Sequence, residues 1–219
     1  MSTSKRFKIA SFYTPSYAKV FEECLGASPY LRQTPSGAVN RAIDEVALCV
    51  DPLPNDFDTW ERACAHKAEF IYDRLLMLPE PTFHMPVLWI DADAKILKPG
   101  DMLWYVRKLI DRGVDFAAHY PSPPPSHAGA INSKMLSGTL FFNTTPAAIK
   151  LAREWRAGMV KANPNALDQD VLHDAVQRCV ASDGLRVENL DPRMVRIYDL
   201  MSYVQDPIIE HYQASRTHR

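Results

Sequence analysis

The chain has 219 residues, 47% hydrophobic and 10% aromatic, enough for one substantial core and for a single domain or a compact domain with a small appended lobe. A formal net charge of −1 excludes a global field that would draw the protein to nucleic acid or to an anionic membrane. The four cysteines (Cys24, Cys49, Cys64, Cys179) form no CxxC pair, and no apolar run approaches the roughly 20 residues of a membrane span, which argues against a zinc site, a disulfide framework and a bilayer-crossing helix. Residues Met1–Arg6 lack the apolar core of a signal peptide, so the expectation is a reduced, cytoplasmic protein.

In chain order, Lys8–Tyr13 (KIASFY) predicts a first strand ending at Thr14-Pro15. Tyr17–Leu25 has helical apolar spacing halted near Gly26. Ala42–Val50 fits strand or helix equally, and Asp51–Asp56 reads as loop. Thr59–Met77 predicts a long amphipathic helix, capped by Asp58 or Thr59 and stopped by Pro79 and Pro81. Pro86–Ile90 (PVLWI) has no polar alternation, the mark of a strand covered on both faces. A helix follows over 101–112, a strand over Asp115–His119, and a Pro/Ser/Gly/His-rich loop over Pro121–Ser133. Leu136–Asn143 (LSGTLFFN) predicts a strand, Pro146–Met159 a helix with proline at its start, and Asp168–Gln177 another helix. Arg186–Asn189 and Val195–Tyr198 predict short strands, with coil to the end. Alternating strands and helices define an α/β fold with a mainly parallel sheet.

The chemistry concentrates where the buried strand stops. Asp91 and Asp93 stand i, i+2 at its carboxyl end, the place where α/β sheets bind ligands. Two anions so close call for a cation between them, and a divalent metal bridging a diphosphate supplies it. The bland alternative is a helix cap at Asp91 and a solvated Asp93. In LSGTLFFN, the small residues Ser137 and Gly138 open an apolar strand and permit close approach of a ligand or backbone. Asp168, Gln169 and Asp170 open a helix, as N-cap groups or as site groups. His211, after Ile208-Ile209-Glu210, is either structural or a third ligand; manganese accepts imidazole beside carboxylates.

The order of VLWIDADAKILKP, LSGTLFFN, LDQDVL and IIEHYQASR resembles the nucleotide-diphospho-sugar transferases of GT-A type. In layout it is similar to the retaining glycosyltransferase family that contains glycogenin and bacterial lipopolysaccharide galactosyltransferases. The resemblance spans nearly the whole chain. It implies one domain over 1–219, with 1–100 as the nucleotide-sugar half and 101–219 as the acceptor half and metal-binding tail. It implies Asp91, Asp93 and His211 as ligands of Mn2+ or Mg2+ together with the donor diphosphate. Tyr13 and Thr14 would meet the nucleotide, Ser137 and Gly138 the sugar pocket, and Asp168 and Gln169 the transferred sugar.

The chain departs from that pattern in two places. Lys67 stands where the family commonly has an arginine, as a less directional point charge for the phosphates. No Lys-Pro-Trp segment follows the late histidine, leaving Arg216 as the replacement cation. In the resulting mechanism the metal and Lys67 or Arg216 neutralise the leaving nucleoside diphosphate, while Asp168 or Asp170 stabilises the oxocarbenium-like centre. The donor is a nucleotide sugar, a UDP-sugar foremost; the acceptor is a glycan, a protein, a small molecule or a modified DNA base, the last without support from net charge. A nucleotidyltransferase is the competing enzyme reading, disfavoured because SFYTPSYAKV lacks a glycine-rich basic loop. An inert nucleotide-sugar-binding module is the non-enzymatic one.

Overall fold

The structure, a computed structural model, describes residues 6–28, 46–54, 60–76, 85–121, 135–163 and 166–213. The first half carries β1 (Phe7–Tyr13), α1 (Ala18–Glu23), β2 (Val46–Pro52), α2 (Trp60–Leu76), β3 (Val87–Ile90), β4 (Ala94–Ile96) and α3 (Pro99–Asp111). The second carries β5 (Phe116–His119), β6 (Leu136–Phe142), α4 (Pro146–Lys161), α5 (Asp168–Asp183), β7 (Val187–Asn189), β8 (Arg196–Ile197) and β9 (Ile209–His211).

Six strands form one sheet in the order β2-β1-β3-β6-β5-β7. β1 runs parallel to β2 and β3, and β5 parallel to β7; β6 alone is reversed, antiparallel to both its neighbours. The mainly parallel α/β sheet expected from the alternation of elements is therefore present. Both faces are covered. Phe7, Ile9, Leu88, Ile90 and Phe141 pack on the side of α3, with Met102, Val106 and Leu109. Ala10, Phe12, Trp89, Leu140 and Phe142 pack on the opposite side, against Ile71 and Leu75 of α2, Leu151 and Trp155 of α4, and Leu172 and Val176 of α5. Period-2 side chains with two apolar destinations explain why VLWI shows no polar alternation.

Several expectations change. The helix predicted over Tyr17–Leu25 is broken into a 3-10 turn at Pro15–Tyr17, the short α1 and a second 3-10 turn at Leu25–Ala27, because the backbone leaves helical geometry at Cys24 (φ −109°, ψ −98°). Asp51 and Pro52 belong to β2 rather than to a loop; β2 lies at the sheet edge, where the missing proline N–H can face outward. The ambiguity over Ala42–Val50 resolves to strand from Val46 onward. The tail is not all coil: β9 pairs with β4 antiparallel and with β8 in parallel as a second, three-stranded sheet. The caps at Asp58 or Thr59, the stops at Pro79 and Pro81, and the loop beyond Pro121 lie outside the described residues.

Trp155 joins this core to the start of α5. Its ring is fully buried and stacks on Phe142 (centroids 6.2 Å apart, planes 4° apart), and its indole N–H donates to the Asp168 carbonyl at 3.0 Å. Truncation by Trp155→Ala is expected to cost about 3–5 kcal/mol, seen as a lowered urea midpoint with unchanged slope.

Candidate metal and donor site

Beyond Ile90 the chain turns at once. The Asp91 amide donates to the Gly138 carbonyl (2.9 Å), and the Ala94 amide donates back to the Asp91 carbonyl (3.1 Å). The turn directs both carboxylates of Asp91-Ala92-Asp93 to one side. β4 then pairs with β9 in a register that sets Ala94 opposite His211, and the Tyr212 amide closes on the Asp93 carbonyl at 3.1 Å. His211 is thereby placed beside Asp93, its Nδ1 4.0 Å from Asp93 Oδ1. One ligand atom each from Asp91, Asp93 and His211 lies within 4.8 Å of the others.

The imidazole is held in a form suited to ligation. Burial lowers its pKa, against the upward pull of Asp93 and Asp91, which favours a neutral ring. Nε2 lies 2.9 Å from the Thr139 hydroxyl. Gly138 makes the approach possible, because a Cβ there would stand 2.9 Å from His211 Cε1, 3.0 Å from Nδ1 and 3.4 Å from Asp91 Oδ2. Two carboxylates and a neutral imidazole suit a divalent ion that takes oxygen ligands and tolerates nitrogen, as Mn2+ does.

Lys67 of α2 rises beneath this group and is buried. Its Nζ lies 2.9 Å from Asp168 Oδ2, 3.2 Å from Asp91 Oδ1, and 3.4 and 3.5 Å from the hydroxyl and carbonyl of Ser137. Burial opposes its charge, but Asp168 and Asp91 outweigh that and hold its pKa above the ordinary lysine value. Asp168 is the first residue of α5 and is itself buried; Leu167 holds the N-cap position, and the Asp168 carboxylate turns inward to Lys67. Ordinary N-capping by Asp168 is thus set aside, because the buried ammonium is the stronger partner.

These groups share one cavity of about 360 Å³, a volume in the range of small-molecule sites. Tyr13 and Thr14 line one end, Ser137 and Gly138 the wall over Lys67, and Gln169 stands next to Asp168. Asp170 is exposed and does not line the cavity, and Arg216 lies outside the described residues. Two participants escaped sequence analysis. The Trp89 indole N–H donates to Asp91 Oδ1 at 2.8 Å, and Thr139 holds His211. The spacing of Trp89, on β3, and Asp91, two residues on and just past the strand's end, is the signal available for the first; for Thr139 there is none beyond its place next to Gly138.

No family model matches the sequence, and no curated protein matches it. Solved structures do match in fold. A glycosyltransferase involved in glycosylating the major capsid of PBCV-1 superposes with a TM-score of 0.67 at 15% identity, over 95% of this chain and 93% of that one. Mouse xyloside xylosyltransferase 1 gives 0.51 at 10% identity over 96% and 98%, and the glycosyltransferase GlyE of Streptococcus pneumoniae 0.53 at 14% over 94% and 54%. The chain therefore spans about half of GlyE but nearly all of the other two. The architecture is that of glycosyltransferases of GT-A type.

Two outcomes follow from this geometry. Gly138→Ala is expected to weaken Mn2+ binding by about tenfold or more in calorimetric titration, since the added methyl must displace His211. Lys67→Met is expected to destabilise the fold by about 3–5 kcal/mol in urea unfolding, because it strands the buried Asp168 carboxylate.

Proposed function

We propose that the chain is a metal-dependent glycosyltransferase that moves a sugar from a nucleotide-sugar donor, a UDP-sugar foremost, to a glycan or glycosylated acceptor. The observation that carries this reading is the convergence of Asp91, Asp93 and His211 in the same cavity as the Lys67-held Asp168. The charge balance supports it: three carboxylates face one ammonium among the cavity's described residues, a setting that repels a diphosphate unless a cation intervenes. Asp91, Asp93 and His211 would hold Mn2+ or Mg2+, which supplies Lewis-acid neutralisation of the departing nucleoside diphosphate.

The remaining work falls to the chain's own groups. Tyr13 and Thr14 bind the nucleotide end; Ser137 and Gly138 border the sugar. Asp168, held by Lys67 at 2.9 Å, stabilises positive charge developing at the anomeric carbon, and Gln169 orients the sugar. We assign that role to Asp168 over Asp170 because Asp168 alone lines the cavity. Lys67 acts through Asp168 and Asp91, so direct contact with the diphosphate falls to Arg216. In this reading residues 1–100 supply the nucleotide contacts and both metal carboxylates, and residues 101–219 supply the sugar contacts, Asp168 and His211. Retention of anomeric configuration is the outcome we assign, by analogy with the family the motifs resemble. Among the described residues no helix is long and apolar enough to cross a membrane.

The test is a screen of nucleotide sugars for hydrolysis and transfer. Wild-type protein is expected to turn over at least one UDP-sugar with Mn2+ and none in EDTA. Asp93→Asn should lower that rate by about 100-fold or more while its circular dichroism spectrum is unchanged. Full activity in that variant, or in EDTA, refutes the proposal.

A further inference from the structure

Asp91 and His211 each own two atoms able to bind an ion, and in both residues one of the two is already engaged. Asp91 Oδ1 accepts the Trp89 indole N–H at 2.8 Å and lies 3.2 Å from Lys67 Nζ. The other oxygen, Oδ2, is the one that faces Gly138, on the same side as His211 Nδ1. In His211 the engaged atom is Nε2, 2.9 Å from Thr139 Oγ1, while Nδ1 turns toward Asp93. We propose that Trp89 and Thr139 are positioning residues that present Asp91 Oδ2 and His211 Nδ1 as the ligand atoms for a divalent ion. The inference rests on the metal reading above and deepens it.

Trp89 is suited to the part by rigidity and by neutrality. It is 1% exposed, its ring packed against Phe12 (5.0 Å, 59°) and Phe70 (5.9 Å, 73°), with the Lys67 ammonium 5.5 Å above it. A donor so confined has no other rotamer to visit, so the carboxylate it holds is ordered before an ion arrives. Asp91 follows Trp89 by two residues, just past the end of β3, so the indole and the carboxylate emerge on the same side and meet at 2.8 Å. Being uncharged, the indole occupies Oδ1 without adding a second positive charge to compete with the ion.

Thr139 does the equivalent for the imidazole. It is fully buried and stands opposite Ile90 in the β3–β6 ladder, one residue from the glycine that admits His211. In this assignment the Thr139 hydroxyl oxygen accepts from Nε2–H, the tautomer that leaves the Nδ1 lone pair for a metal. Neither residue belongs to the Asp-Ala-Asp sequence that first marks the site.

The experiment titrates Mn2+ into the full chain by calorimetry, for wild type, Trp89→Phe, Thr139→Val and Thr139→Ser. Trp89→Phe and Thr139→Val are expected to raise the Mn2+ dissociation constant about 10–100-fold, with urea midpoints in EDTA showing that they fold; Thr139→Ser, which keeps the hydroxyl, should stay within about threefold of wild type. In wild type, the Trp89 indole 1H–15N resonance should shift on adding Mg2+ while that of exposed Trp104 does not. Unchanged affinity in both folded variants, or equal weakening by Thr139→Ser and Thr139→Val, overturns the inference while leaving the metal reading intact. Should Trp89→Phe fail to fold, a static Trp89 resonance during Mg2+ saturation overturns it for that residue. Failure of wild type to bind any divalent ion removes the metal reading and this inference together.

Discussion

A buried ammonium shared between two carboxylates holds the site together. Lys67 leaves α2 into a buried region at the floor of the cavity, where an unpaired charge is costly by several kcal/mol. Its charge is tolerated only if Asp91, at the end of β3, and Asp168, at the start of α5, arrive within about 3 Å. The segments that must converge for that to happen are the ones that carry candidate chemistry. Ser137 adds its carbonyl and hydroxyl from β6, so four elements meet at one nitrogen. Such a pair is poor evidence for net stability, but it makes misplacement of any one element expensive, and thereby fixes the cavity's shape.

The two sheets divide the task of bringing ligands together. The six-stranded sheet supplies Asp91 at a strand end and Ser137-Gly138 beside it, both held by ladder hydrogen bonds to neighbouring strands. The three-stranded sheet brings in His211 from far along the chain by pairing Ala94–Ile96 with Ile209–His211. Ion pairing of Arg196 with Glu210, and the Tyr212 hydroxyl on Glu210, brace that small sheet from its outer side. A third ligand from so distant a segment makes the site depend on completed tertiary structure, and no preformed local motif presents all three groups.

Much of this was legible in the sequence, and the boundary of legibility has physical causes. The unbroken apolar run of VLWI announced a strand covered on both faces, and the abrupt aspartates after it announced the site. Small residues at Ser137 and Gly138 signalled close approach, which the contact with His211 explains. By contrast, β4 and β9 are three residues each and pair across about half of the chain, so neither periodicity nor turn chemistry could register them. The partners of Lys67 depend on the rotation of α2 against the sheet, which periodicity does not set to within one side chain. Asp168 carried two readings because an aspartate that starts a helix looks the same whether its carboxylate caps the helix or turns inward. Burial of the ammonium opposite it decided between them.

The reversed strand is what lets the site exist. β6 is the one member of the six-stranded sheet that runs antiparallel to both neighbours, pairing Val87 with Phe142 and Ile90 with Thr139. Its small-residue beginning, Leu136-Ser137-Gly138, therefore lies at the carboxyl end of β3, where Asp91 emerges. Were β6 parallel to β3, its own carboxyl end, Phe141-Phe142, would lie there instead. Two rings at that place would fill the space that His211 and the carboxylates occupy, and would offer no hydroxyl to Lys67 and none to His211. Placing the aromatic end at the opposite edge instead lets Phe142 pack on Phe116 and Trp155 in the core. The same seven residues thus serve as core at one end and ligand wall at the other, and the direction of the strand decides which end meets the chemistry.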